Sequence, residues 1–294
     1  MHFIDKDFGD VSVKEAVHAA LVNITAAQNK GTLTKVREHL PKGRTAWRLI
    51  LPEGGSAFVK CDELDQGGKW YHRFYSMHPF NREAQLLEKL HLAELGVPRP
   101  IMVAADPGLL FPKRVFLVTE AMEGYEPLSV TIERHLDKDS TLPEELMGGL
   151  SSTLAQLLYK LHKIGFYHRD LQEDHILWKV EDGEIKWALV DFEGAFIKRQ
   201  LPMWYRIKNL YMVGRHLLNT DPPNASIEFI EEYNRLSFPG DDPKQLIKVA
   251  LRYAAFREDG RDLGAMIDKT IMDYIDFARK HRRVSMHKIQ AWFK

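Results

Sequence analysis

The chain has 294 residues, 45% hydrophobic and 28% charged, with 41 Lys+Arg against 41 Asp+Glu. That composition describes a globular protein with a substantial core, and the balanced charge gives no reason to expect a nucleic-acid partner. The one cysteine, Cys61, excludes an intramolecular disulfide and suits a reducing compartment; no run of about eighteen apolar residues marks a membrane span.

Met1 to Asp7 lacks the basic start and apolar stretch of a secretion signal, so a cytoplasmic location is expected. Ser12 is positioned to cap a helix from Val13 to about Asn29. Its apolar face is Val13, Val17, Ala20, Leu21 and Ile24, and Gly31 can end it. Short strands follow at Thr34–His39, Trp47–Leu51 and Ala57–Lys60, separated by Pro41-Lys42-Gly43 and Pro52-Glu53-Gly54-Gly55. Cys61 falls at the end of the third strand and reads as a small buried residue rather than a reactive thiol. A helix is expected from about Asn81 to Leu95, closed by Gly96-Val97-Pro98, and Val115–Glu120 has a buried-strand pattern. Beyond Pro127 the pattern turns helical, at Leu150–Ile164, Arg206–Leu218, Ile227–Arg235, Pro243–Phe256 and Leu263–His281. These elements predict an α+β, two-lobed fold: a helical extension over 1–30, a β-rich N-lobe over 31–124 and a helical C-lobe over 125–294.

The chemistry is concentrated in two segments. His168-Arg169-Asp170-Leu171-Gln172-Glu173-Asp174-His175 follows an apolar helix and the helix stop Gly165, and Asp191-Phe192-Glu193 begins sixteen residues after His175. Ile176–Trp178 and Ile185–Val190, joined by Glu181-Asp182-Gly183-Glu184, form a hairpin between them. Phosphoryl transfer needs a carboxylate at the attacking hydroxyl and another on the magnesium that bridges the ATP phosphates. Asp170 and Asp191 have the residue type, order and spacing for these two roles. Lys60 with Glu83 matches the lysine–glutamate pair that holds the α- and β-phosphates, Glu88 being the alternative partner. Glu120 and Met122 stand where a hinge backbone contacts adenine. His175 occupies the place of a second magnesium ligand; imidazole is a poor one, so it either orients Asp170 or holds the metal through water. His168 reads as structural.

These residues resemble the protein-kinase-like superfamily, and within it the bacterial lipopolysaccharide core (Kdo/heptose) kinases. The likeness covers roughly Leu33 to Leu218 and is most specific from Gly165-Phe166-Tyr167-His168-Arg169-Asp170 through His175. It implies ATP- and Mg2+-dependent phosphorylation of a heptose or Kdo hydroxyl at the cytoplasmic face of the inner membrane. A GxGxxG loop is absent; Gly43 alone falls in the expected turn, leaving phosphate cover to backbone amides or Arg44. Gln172 stands in place of a lysine, and Glu193 in place of the glycine of the magnesium turn. About fifteen residues separate Asp191 from the Arg206 helix, too few for an activation loop that presents a peptide, so small or glycolipid acceptors are favoured. Other small-molecule kinases of the aminoglycoside or choline type usually carry asparagine at the position of His175. A nucleotide-binding pseudokinase is the alternative outside enzymes, against which Lys60, Glu83, Asp170 and Asp191 all argue. Lys198, Arg199, Arg206 and Lys208 suit a phosphorylated or carboxylated acceptor, or a solvated surface. Phe277–Lys294, basic with Trp292-Phe293, suits an anionic membrane surface or an exposed helix end.

Overall fold

The computed structural model describes residues 4–7, 11–36, 43–52, 54–64, 78–106, 112–136, 144–220 and 224–238. The expected helices Pro243–Phe256 and Leu263–His281, and the basic segment 277–294, lie outside them. The chain divides into two compact units, Met1–Tyr125 with Ala188–Gly194, and Glu126–Trp187 with Ala195–Lys294.

The first unit is built on β1 (Ile4–Asp7), α1 (Val11–Val22), α2 (Ile24–Asn29), β2 (Leu33–Lys35), β3 (Arg44–Ile50), β4 (Ser56–Glu63), α3 (Pro79–Leu92), β5 (Pro100–Ala105) and β6 (Arg114–Glu120). Its strands form one six-stranded sheet in the order β1-β5-β6-β4-β3-β2. The period of two along the strands sorts their side chains between two cores. Val59, Cys61, Phe116 and Val118 bury against Val17 and Leu21 of α1, whereas Val115, Leu117 and Val103 bury against Phe80 and Ala84 of α3. Cys61 is thus a core residue, and burial pushes its thiol up to about 12. The N-terminal segment differs from the single capped helix expected: Ser12 lies inside α1 rather than capping it. The chain breaks at Asn23, whose side chain accepts from the Ala26 N–H (3.0 Å) and caps α2. Its β1 strand, too short and polar to read from sequence, pairs antiparallel with β5, Ile4 opposite Ala105.

The second unit contains β7 (Glu126–Pro127), α4 (Leu128–Leu136), α5 (Glu144–Lys163), β8 (Phe166–Tyr167), a 3-10 turn (Glu173–His175), β9 (Ile176–Glu181), β10 (Glu184–Leu189), β11 (Phe196–Ile197), α6 (Met203–Thr220) and α7 (Asn224–Ser237). Strands β10-β9-β7 form one sheet and β11-β8 a second. The β9–β10 hairpin turns through Asp182 (φ 54°) and Gly183 (φ 76°), the Asp-Gly pair that such a tight turn demands. Leu150, Leu154, Leu158 and Leu161 of α5 recur at helical spacing and are buried, and α5 packs on α6 and α7. The chain passes from β10 back into the first unit at Ala188, carrying Asp191 with it.

Candidate active site

Lys60 is the residue on which Glu83 and Asp191 converge. It pairs with Leu117 across β4–β6, and Leu117 faces α3. The pleat therefore sends Lys60 toward α3 while Val59 and Cys61 point to the opposite core. On α3, Glu83 is buried and Glu88 exposed. Glu83, one turn from the helix start at Pro79, is the acid that reaches the lysine. Lys60 Nζ donates to Glu83 Oε1 (2.9 Å) and to Asp191 Oδ1 (2.8 Å). Burial alone would lower the lysine's pKa; the two carboxylates outweigh it and hold Lys60 cationic well above its usual range.

Glu83 Oε1 also accepts from the backbone N–H of Phe192 (3.3 Å), tying α3 directly to the Asp191-Phe192-Glu193 turn. Sequence offered no signal for that bond, since it joins a side chain to a main-chain group 109 residues away. Asp191 itself sits at φ 62°, a left-handed conformation that aspartate tolerates better than most residues. Its half-exposed side chain is presented beside the lysine.

Arg44, at the start of β3, makes a two-point pair with Glu193, Nη1 to Oε2 and Nη2 to Oε1 (2.9 Å), and has Asp62 at 3.9 Å. The hydrogen bonds to Arg44 hold the Glu193 carboxyl below its usual range, and those to Glu193 raise Arg44 further. Arg44 is thus held next to the magnesium-type turn by the acid that stands in place of a glycine there. At the end of β6, the amides of Glu120, Ala121 and Glu123 are engaged by the carbonyls of Arg99 (2.9 Å), Ser56 (2.9 Å) and Ala121 (3.0 Å). Ser56 and Arg48 brace Glu123: Ser56 Oγ donates to its carboxylate (2.7 Å), and Arg48 Nε donates to Ser56 Oγ (2.9 Å). Met122 lies within this braced segment, and the Glu120 side chain turns outward to Arg99 (3.8 Å).

The second unit carries Asp170. Gly165 ends α5 at φ 80°, and a Cβ there would lie 1.7 Å from the Lys198 carbonyl oxygen. Glycine is demanded here by both conformation and the close approach of β11. From β8 the chain enters the loop, whose shape is set by a chain of buried hydrogen bonds. Asn209 of α6 donates to the His168 carbonyl (2.6 Å) and accepts from the His168 N–H (3.3 Å). The Asp170 N–H donates to His168 Nδ1 (3.2 Å). His175 Nδ1 meets the Asp170 carbonyl oxygen at 2.7 Å, and because a carbonyl only accepts, that ring nitrogen carries the proton. Gln172 Nε2 donates to Asp170 Oδ1 (2.6 Å), fixing the carboxylate's rotation. Behind Asn209, His162 Nδ1 lies 2.7 Å from Tyr233 Oη, and its Nε2 is 3.4 Å from Asn209 Oδ1. Burial, reinforced by Arg206, holds His162 down to about 3, so it is neutral.

His168 thus braces the loop backbone, and Asn209 and His162 are additions that sequence did not reveal. Each looks in sequence like an ordinary polar interruption of an apolar helix. Among the described residues no cluster of three or more His, Cys, Asp or Glu side chains could by itself hold a metal.

The family model described as lipopolysaccharide kinase (Kdo/WaaP) family matches residues 68–247, more than half of the chain. Among curated proteins, the 3-deoxy-D-manno-octulosonic acid kinase of Pasteurella multocida (strain Pm70) is 27% identical over 175 residues, 57% of this chain and 68% of that enzyme. The kinase of the same name from Haemophilus influenzae (strain 86-028NP) is 28% identical over 176 residues, with the same shares covered. Among solved structures, one of WaaP in complex with acyl carrier protein superposes with a TM-score of 0.55 at 18% identity. It covers 93% of this chain and 100% of its own, a likeness of fold. The chain accordingly has an α+β protein-kinase-like fold and belongs to the lipopolysaccharide kinase (Kdo/WaaP) family, enzymes that transfer phosphate to a sugar hydroxyl of the lipopolysaccharide core.

Proposed function

We propose that this kinase phosphorylates a Kdo or heptose residue of the lipopolysaccharide inner core from ATP, with magnesium. The observation that carries the ATP half of this reading is the Lys60–Glu83–Asp191 arrangement, because it holds an ammonium from strand β4 and a hard oxygen donor from the turn after β10 side by side. The residues fit the magnesium nucleotide. Asp191 would hold the ion, and Lys60 would hold the α- and β-phosphates, with Glu83 keeping the lysine cationic and aimed. Bound magnesium supplies charge neutralisation at the phosphate oxygens. The amide of Met122 is the hinge donor we assign to adenine, those of Glu120, Ala121 and Glu123 being engaged. Arg44 adds a second cation for the phosphates, delivered by Glu193.

Asp170 accepts, or at least orients, the proton of the attacking sugar hydroxyl, and Gln172, donating to its Oδ1, fixes the rotation of the carboxylate. We assign His175 to positioning: its protonated Nδ1 holds the Asp170 carbonyl, which supports a role on the loop rather than on the metal. No helix among the described residues is long and apolar enough to cross a membrane. A lipopolysaccharide acceptor places the reaction peripherally, at the inner-membrane face.

The test is phosphate transfer from ATP to a Kdo-bearing and to a heptose-bearing core acceptor. Wild type is expected to phosphorylate one of them and Asp170→Asn to lose at least about 10²-fold in kcat. Equal, negligible transfer by both proteins on both acceptors sinks the reading.

A further inference from the structure

Tyr233 is fully buried in α7 and has no part in the chemistry assigned so far, yet it stands at the head of the hydrogen-bond chain that ends on the catalytic loop. The roles along that chain follow from its fixed end. A backbone N–H only donates and a carbonyl only accepts, so the two bonds to His168 set the orientation of the Asn209 amide. Its Oδ1 faces the N–H (3.3 Å) and its Nδ2 the carbonyl (2.6 Å). The same Oδ1 faces His162 Nε2 at 3.4 Å, and an amide oxygen cannot donate. Nε2 therefore carries the ring proton. Burial and the nearby Arg206 both oppose a charge on this ring, so it is neutral and Nδ1 keeps a lone pair. The hydroxyl of Tyr233, 2.7 Å from Nδ1, is then the donor.

The chain thus has one direction, Tyr233 to His162 to Asn209 to the His168 backbone, and it draws on α7, α5 and α6 in turn. Tyr233, His162 and Asn209 are all but inaccessible, at 0%, 1% and 1% exposure, so water is a poor substitute for any of these bonds. In the opposite tautomer Nε2 and Asn209 Oδ1 would face each other as two acceptors, and the amide would gain by turning over. A turned amide opposes donor to donor and acceptor to acceptor at His168, whose Nδ1 receives the Asp170 N–H. The rings of His162 and Tyr233 meet edge to face, with centroids 5.5 Å apart. Packing therefore places the imidazole, and the hydroxyl decides where its proton sits.

We propose that Tyr233 is a positioning residue for phosphate transfer: its hydroxyl selects the Nε2–H tautomer of His162, and that tautomer holds the Asn209 amide in the orientation that fixes the His168–Asp170 backbone. The proposal rests on the kinase reading for its effect on rate; the tautomer and the order of the loop are properties of the second unit itself.

Tyr233→Phe keeps the ring and removes one oxygen, which separates packing from proton placement. Long-range 1H–15N correlation spectra of the full chain, with His162→Gln to assign the signals, read the tautomer. Wild type is expected to show a protonated Nε2 and a bare Nδ1, and Tyr233→Phe a mixture of the two tautomers. Amide hydrogen exchange at His168 should become at least about tenfold faster in Tyr233→Phe, with the β4 and β6 amides of the first unit unchanged. In transfer assays Tyr233→Phe should lose about fivefold or more in kcat, with KM for ATP and acceptor within about twofold of wild type. In a His162→Gln background the same substitution should lose nothing further, because the chain is already cut. An Nδ1–H tautomer in wild type overturns the proposal, as does unchanged exchange at His168 in Tyr233→Phe. A full kcat loss in the His162→Gln background also overturns it, since Tyr233 would then act by another route. If wild type transfers phosphate to neither core acceptor, the acceptor reading fails by itself, and the tautomer and exchange measurements still decide the relay.

Discussion

Asn209 shows how one buried amide can govern a loop it does not belong to. It satisfies both the N–H and the carbonyl of His168, and through His168 it sets the amide of Asp170. Asn209→Leu is close in volume but orphans two buried backbone groups, at about 1–3 kcal/mol each. We expect a lower unfolding midpoint in urea together with a fall in kcat and little change in the ATP KM. A variant that loses stability alone, with kcat intact, would show that the amide merely packs. His162, on the other side of Asn209, makes a pH prediction. Its folded pKa, about 3, lies below the ordinary histidine value of about 6.5, so below pH 6.5 the unfolded chain takes up a proton that the folded one refuses. Stability from this group is therefore complete above pH 6.5 and falls as pH drops toward 3, by at most about 1.4 kcal/mol per pH unit. Urea unfolding of wild type and His162→Gln at pH 7, 6 and 5 should show a steeper decline for wild type. Parallel declines would assign the proton to another group.

At the scale of elements, the close passage of β11 past the end of α5 is decided by a missing side chain. Gly165 has both a left-handed φ and the Lys198 carbonyl oxygen where a Cβ would stand. Gly165→Ala must displace β11 or the helix end, so we expect more than about 2 kcal/mol lost and a large drop in kcat. Thermal melting and transfer assays read the two effects together. A wild-type melting temperature would mean that β11 shifts freely. The motif was legible here, the reason only partly: Gly165 read as a helix stop, while its contact with a strand 33 residues on required the fold. Helix phase made a similar decision on α3. Glu83 and Glu88 are both plausible partners in sequence, but only the position on the buried face of α3 meets the lysine of β4.

For the molecule as a whole, the two units hold different parts of the assigned chemistry. Lys60, Glu83, Asp191, Arg44 and Glu193 belong to the first, and Asp170, Gln172, His175 and Asn209 to the second. Nucleotide binding and hydroxyl activation should therefore separate by mutation. Lys60→Met is expected to remove most of the ATP–magnesium melting shift. Asp170→Asn should keep that shift and lose transfer. Loss of the shift in Asp170→Asn would show that nucleotide binding depends on the second unit as well.

The segments proposed as catalytic loop and magnesium turn stand out in sequence because each is short and its residue order is itself the signal. The apolar stripes of α3, α5 and α7 were legible for a related reason: a helix buries one face, and that face leaves a period in the chain. Pairings across long separations were not legible. The Arg44–Glu193 pair spans 149 residues, and the Lys60–Asp191 bond 131. Local periodicity sets which face a side chain points from, but only sheet register and helix docking decide what it meets. The same holds for Asn209, whose role exists only because α6 lays it against the His168 backbone. Sequence alone singled out the acids proposed for the chemistry; the tertiary structure determined which neighbours hold them, because those neighbours are chosen by packing between elements far apart in the chain.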